Sequence, residues 1–245
     1  PTTFQEDALI SSTNNTLKSV LYNNATLIAV GNAGHIVNSP DGISWMSLSS
    51  AETTLPLNSI AKSTNGYVIA GYLNILSSTD GVSWSKVASP INNAIYNDII
   101  WTGSIYVSVG YDKSNNNGII VSSTNGTNWT LVATIPSAPL WSVTWTGTQF
   151  VAVGTSGTVL SSDDGQMWSS SSSVDSSIHF WGVEWDGTQL YGVASNGLIY
   201  TALNTNSLSW TLQQSGTTDD IRDIVSSDAS VVAVGEHGTI LKSTS

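Results

Sequence analysis

The sequence predicts an all-β fold of six four-stranded antiparallel units arranged as one ring. Three observations predict it. A seven-residue pattern, Ser-x-Asp-Gly-x-x-Trp, recurs about every forty residues. Each copy follows short segments rich in Val, Ile, Thr, Tyr and Trp, separated by Asn-Gly, Asp-Gly, Thr-Gly and Ser-Gly turns. No stretch of ten or more residues carries a helical period. Four-stranded units repeating at this interval are the sequence signature of a β-propeller.

The repeated box comes first, because it sets the register. Intact copies are Ser39-Pro40-Asp41-Gly42-Ile43-Ser44-Trp45, Ser78-Thr79-Asp80-Gly81-Val82-Ser83-Trp84 and Ser162-Asp163-Asp164-Gly165-Gln166-Met167-Trp168. In Ser123-Thr124-Asn125-Gly126-Thr127-Asn128-Trp129 an Asn replaces the Asp. A degraded copy keeps only Asn206 and Trp210. The closing tryptophans are separated by 39, 45, 39 and 42 residues. Each residue type has a structural task. Glycine permits a left-handed turn between the third and fourth strands. Ser and Asp oxygens accept turn N–H groups. The Trp ring anchors the turn, with burial contributing on the order of 4–6 kcal/mol gross.

Ahead of each box runs a second-strand segment such as Leu27-Ile28-Ala29-Val30-Gly31 or Phe150-Val151-Ala152-Val153-Gly154. Ahead of that runs a first-strand segment such as Ser142-Val143-Thr144-Trp145. The units span approximately residues 17–55, 56–93, 94–138, 139–177, 178–219 and 220–245 plus 1–12. The sixth unit is divided between the termini. Read head to tail, Ser243-Thr244-Ser245-Pro1-Thr2-Thr3-Phe4 falls in the box register, with Phe4 in the Trp place. The N-terminal segment is therefore expected to supply the outer strand of the last blade and close the ring.

The units resemble Asp-box (BNR) repeats, and the resemblance covers nearly the whole chain. Such repeats occur in sialidases, xyloglucan-degrading hydrolases, sortilin-type receptors and photosystem II assembly propellers. The resemblance implies a propeller and little about activity. Sialidases grip a substrate carboxylate with three arginines; this chain has one, Arg222. The Arg-rich patch of the photosystem assembly propellers is missing too. The xyloglucan hydrolases use two large propellers, and one fits in 245 residues.

Charge narrows the partners. The formal net charge is −11 with six basic residues, which argues against nucleic-acid backbones and anionic membrane surfaces. Cysteine is absent, so there is no disulfide, thiolate zinc site or cysteine nucleophile. No apolar run approaches the length of a membrane span. His35, His179 and His237 fall at non-equivalent places, so neither a metal centre nor a cofactor is expected. A glycosidase needs two carboxylates across a cleft. The candidates Asp175, Glu184, Asp186, Asp219, Asp220 and Glu6 form no recurring pair, so the chain is expected to be non-enzymatic.

One repeat position departs from the others. Entering each first strand is apolar-x-(Ser/Asp/Gly)-(Val/Ile), with x equal to Lys18, Asn58, Asn97, Trp141, Trp181 and Arg222. The flanks are nearly constant while x changes, as expected of a binding face on a fixed frame. In a propeller these six residues rim one mouth of the central channel. Trp141 and Trp181, on adjacent blades, suit stacking on a sugar ring or gripping a peptide. Arg222 and Lys18 suit an acidic group. Tyr111, in the long second-to-third-strand loop 111–118, and His179 belong to the same face. The expected function is recognition of a glycan or a partner-protein surface, as a lectin-like or receptor-binding module in an extracellular or virion-surface setting. The alternative is a structural subunit of a virus, phage or larger complex, and the third reading is a glycoside hydrolase.

Overall fold

We analysed a computed structural model, which describes residues 15–23, 25–48, 52–170, 174–203, 208–227 and 230–243. The chain is a six-bladed β-propeller of antiparallel sheets. Blade 1 contains β1 (Leu17–Tyr22), β2 (Leu27–Gly31), β3 (Ile36–Ser39) and β4 (Met46–Leu48). Blade 2 contains β5 (Leu57–Ser63), β6 (Gly66–Gly71), β7 (Asn74–Ser78) and β8 (Ser85–Val87). Blade 3 contains β9 (Ala94–Trp101), β10 (Tyr106–Asp112), β11 (Asn117–Ser123) and β12 (Thr130–Ile135). Blade 4 contains β13 (Leu140–Trp145), β14 (Phe150–Gly154), β15 (Val159–Ser162) and β16 (Ser169–Ser170). Blade 5 contains β17 (Phe180–Trp185), β18 (Gln189–Ala194), β19 (Ile199–Leu203) and β20 (Thr211–Gln213). Blade 6 contains β21 (Ile221–Ser227), β22 (Ser230–Gly235) and β23 (Ile240–Lys242), a three-stranded sheet among the described residues. The expected outer strand at Phe4, and Asn206 of the degraded box, lie outside the described residues.

The boxes fold as their residue types dictate. In blade 2, Ser78 Oγ accepts the Gly81 N–H at 2.8 Å, and Asp80 Oδ1 accepts the N–H groups of Val82 and Ser83 at 2.8 and 2.7 Å. Gly81 has φ 75°. The same set of bonds holds Ser39, Asp41 and Gly42 and also Ser162, Asp164 and Gly165. Asn125 makes it without a charge, accepting from Thr127 and Asn128, while Ser123 accepts from Gly126. Backbone N–H groups of Ser83 and Val82, then the Ser78 hydroxyl, hold the Asp80 carboxyl down at about 2. Trp45 and Trp129 donate their indole N–H to the carbonyls of Gly42 and Gly126.

The core lies between blades rather than within them. Ile28, Val30 and Ile36 of blade 1 meet Leu57, Tyr67, Ile69 and Trp84 of blade 2, and this pattern repeats along the series. Polar residues sew the inner strands together. Asp98 accepts from the Ser59 hydroxyl (2.9 Å), the Ser142 hydroxyl (3.1 Å) and the Val143 N–H (3.0 Å), so one carboxylate joins blades 2, 3 and 4. Among the described residues no core cluster joins blade 6 to blade 1. Val30, Ala70, Val109, Val153 and Val193 are fully buried, whereas their counterpart Val234 in blade 6 is 42% exposed. Val20 of blade 1 is 61% exposed, against 2–6% for Ile60, Ile99, Val143, Val183 and Ile224.

Candidate functional site: six bulges at the channel mouth

Every blade carries a β-bulge in its first strand. The register of β1 on β2 pairs Leu17 with Gly31 and Ser19 with Val30, leaving Lys18 without a partner. The same slip skips Asn58, Asn97, Trp141, Trp181 and Arg222 in the other five blades. The six residues of the variable position are thus the six bulge residues. A bulge releases one residue from the ladder and re-aims its side chain. That frees its identity from sheet packing, while the apolar residue before it is fully buried in blades 2 to 6, as Leu57, Tyr96, Leu140, Phe180 and Ile221.

The bulge also explains the small residue of each second strand that faces the residue before the bulge. A Cβ on Gly110 would meet the Ile95 carbonyl oxygen at 1.9 Å, and one on Gly31 would meet that of Thr16 at 2.0 Å. At these glycines the backbone of the bulged strand passes too close for a side chain.

The structure divides the six residues into two groups. Asn58 donates through Nδ2 to the Tyr96 carbonyl at 2.8 Å, and Asn97 to the Leu140 carbonyl at 2.7 Å. Their short amides reach the next blade and act as inter-blade ties, with Lys18 Nζ donating to Asn58 Oδ1 at 2.9 Å. Burial lowers the Lys18 pKa from its ordinary value. The other three form a continuous ladder. Ring centroids are 6.0 Å apart for Tyr111 and Trp141 and 5.1 Å for Trp141 and Trp181. The Arg222 guanidinium lies 4.1 Å from the Trp181 centroid. His179 flanks Trp181 at 6.4 Å.

Both tryptophans are half-buried, and their indole nitrogens are enclosed without an acceptor among the described residues. The box residues Trp84, Trp168 and Trp210 share that feature, so it does not set the mouth apart. Arg222 pairs with Glu236 and, at 3.3 Å, with Asp220. Tyr111 belongs to β10, paired with Ile95 and Gly118, so the expected loop 111–118 is only the turn 113–116; Lys113, in that turn, sits over the Tyr72 ring at 5.1 Å. Three of the chain's six basic residues, Lys18, Lys113 and Arg222, therefore lie on the mouth face of an acidic protein.

The carboxylates weighed as a catalytic pair are each engaged locally. Asp175 and Asp186 cap turns, accepting from Ser177 and from Thr188 and Gln189. Asp219 binds Thr239 and His237. Asp220 accepts the Asn196 N–H besides pairing with Arg222. Glu184 is raised above the ordinary carboxylate range by burial, and it accepts from the Ser226 hydroxyl at 3.2 Å. Glu6 lies outside the described residues. Among the described residues no group of three or more His, Asp or Glu side chains is placed to hold a metal ion. No described helix is long and apolar enough to cross a membrane.

Residues 79–234, more than half of the chain, match the DUF6242 β-propeller domain. The chain belongs to the DUF6242 β-propeller domain family. No curated protein matches it. This DUF6242 propeller is similar in fold to YCF48 from Cyanidioschyzon merolae, with a TM-score of 0.73 and 18% identity over 95% of this chain and 83% of that one. It is also similar to YCF48 bound to D1 peptide, with a TM-score of 0.73 and 21% identity over 95% of this chain and 80% of that one. The WD40 β-propeller domain of Doa1 superposes with a TM-score of 0.71 at 13% identity, over 97% of this chain and 82% of that one.

Proposed function

We propose that the chain is a non-enzymatic binding propeller that takes a segment of a partner protein across its channel mouth. The observation that carries this reading is the ladder Tyr111–Trp141–Trp181–Arg222, which runs over adjacent blades from β10 onto three bulge residues released from the strand ladder. Half-buried aromatics in a fixed row offer apolar area at little entropic cost. Arg222 at the end of the ladder, with Lys18 and Lys113 elsewhere on the mouth face, favours a segment carrying a carboxylate. Similarity to a propeller determined with a bound peptide is consistent with this use of the fold. In this reading the Asp-box turns are scaffold, and the engaged carboxylates are structural.

The test is binding of the purified chain to displayed random peptides and, in parallel, to a glycan array, each repeated with Trp141→Ala and Trp181→Ala. The expected result is a peptide set enriched by the wild type and lost by at least 10-fold in both variants, which keep the wild-type circular dichroism. Glycan binding with the same tryptophan dependence would replace the peptide by a sugar at the same ladder. Ligands unaffected by either change would move the function away from the mouth.

A further inference from the structure

Arg222 is the one arginine of the chain, and its guanidinium is already engaged. One face lies on the Trp181 ring. Its Nη2 donates to Glu236 Oε1 and lies 3.3 Å from Asp220 Oδ2, while Nη1 and Nε have no partner among the described residues. A guanidinium grips a carboxylate through one of two forked edges, Nη1 with Nη2 or Nε with Nη2. Nη2 belongs to both edges. With Nη2 held by the chain's own acids, an incoming carboxylate is left with single bonds from Nη1 or Nε.

The two acids are not equivalent. Asp220 is tied down, since its Oδ1 accepts the Asn196 N–H of blade 5 at 2.9 Å while its Oδ2 faces Arg222. Glu236 is exposed, and among the described residues its carboxylate bonds to Arg222 alone. Its main chain is fixed, with the N–H donating to the Asp220 carbonyl at 2.9 Å. Only the side chain, with its three torsions, is free to swing.

The repeat shows that the sheet does not call for an acid here. Glu236 follows Gly235, the small residue that faces the residue before the bulge. The same place in blades 1 to 5 holds Asn32, Tyr72, Tyr111, Thr155 and Ser195. In all but blade 3 the amide at this place donates to the carbonyl two residues before the bulge, so the backbone is constant while the side chain varies. Glu236 is the one charged member of this second ring, and it stands beside the one arginine of the first.

We propose that Glu236 is the built-in occupant of a carboxylate seat at the end of the ladder. It closes the fork of Arg222 in the empty protein and swings aside when a ligand carboxylate takes both nitrogens of one edge. Asp220 stays in place and keeps the guanidinium on Trp181 through the exchange. The proposal rests on the reading of the mouth as the site for a carboxylate-bearing segment. One carboxylate leaves as another arrives, so the exchange is nearly balanced in charge. The aromatic rings of the ladder tip it, and a carboxylate without apolar neighbours to lay on them does not displace Glu236.

Two measurements on the full chain test this. Because Arg222 is the sole arginine, phenylglyoxal modifies one guanidinium, and mass spectrometry reads its rate. Glu236→Gln is expected to react severalfold faster than the wild type, with unchanged circular dichroism. Equal rates would show that Glu236 does not cover the group and would overturn the proposal, whatever the mouth binds. In the second, random peptides are selected by display on the wild type and on Glu236→Gln. The expected peptides need Trp141 and bind Glu236→Gln about fivefold tighter than the wild type, the size of an exposed ion pair. That gain is expected to vanish when the peptide's Asp and Glu residues become Asn and Gln, or when its C-terminus is amidated, which identifies the carboxylate used. Peptides that need Trp141 yet bind both chains equally would overturn the role of Glu236 and leave the ladder as the binding site. The lack of any peptide that needs Trp141, on either chain, would overturn the ladder and the seat together.

Discussion

The Arg222 guanidinium sits over the Trp181 ring, 4.1 Å from its centroid, while the same group pairs with Glu236 and Asp220. It is the exposed end of the aromatic ladder. Exposed ion pairs and cation–π contacts contribute modestly to folding. Arg222→Ala is therefore expected to change unfolding free energy by less than about 1 kcal/mol. If the ladder binds an acidic segment, the same change weakens that ligand by roughly tenfold, the loss of one charge-assisted contact. Denaturant melts and a titration with a selected peptide separate the two effects.

The bulge makes a prediction about glycine. In Gly110→Ala the new Cβ meets backbone, the Ile95 carbonyl at 1.9 Å, so relief requires moving the strand. A loss of about 2–4 kcal/mol is expected by chemical denaturation. Blade 5 carries Ala194 at this place opposite Phe180, which shows that a bulge tolerates a Cβ once its backbone has adjusted. Gly147→Ala is the contrast, with φ 94° and open space around the Cβ. Its cost is conformational alone, about 1 kcal/mol.

The boxes predict an acid response. Asp80 is held at about 2, below its ordinary value of 3.8, chiefly by the N–H groups of Ser83 and Val82. A lowered folded pKa gives stability that is present above the unfolded value and is lost as pH falls through the folded one. Asp80→Asn keeps the turn bonds, as Asn125 does in blade 3. The wild type is expected to exceed this variant in Tm at neutral pH, with the difference shrinking between about pH 4 and about pH 2. A difference constant over that window would place the stabilisation elsewhere.

Glu184 has the opposite sign. Burial raises its pKa, with the nearby Asp223 carboxylate adding to the effect, although Ser226 donates to it. The folded state therefore prefers the protonated group, and stability is lost as pH rises through the raised value. Glu184→Gln keeps an acceptor for Ser226 and is expected to raise Tm at neutral pH but not in acid, below the ordinary carboxylate pKa. A fall in Tm at neutral pH would show that the charge is needed.

Much of this was legible in the sequence, for physical reasons that differ by element. The box turns were readable because each residue type meets one demand: glycine the left-handed φ, Ser and Asp the turn amides, Trp the anchor. The variable position was readable because the apolar residue before it packs in the core of blades 2 to 6 and stays large and apolar there. What the sequence did not reveal was that this position is a bulge. The signal was there in Gly31, Gly71, Gly154 and Gly235, which end a strand in the manner of any turn glycine, and in Gly110 within β10, all sitting at a close backbone approach. Asn58 and Asn97 looked like rim residues, but their amides are short enough to be spent on the carbonyls of the next blade. Asp98 was hidden for the converse reason. It occupies the place of Ser59 and Ser142 in the repeat, and only the folded ring brings both hydroxyls to its carboxylate.

The most direct test of binding at the mouth is a peptide-display selection on the wild-type chain, followed by titration of the strongest peptide against the wild type, Trp141→Ala and Trp181→Ala. The expected result is a loss of affinity of at least tenfold in each variant, with secondary structure unchanged. Equal affinity for all three chains would contradict the assignment of function to the ladder.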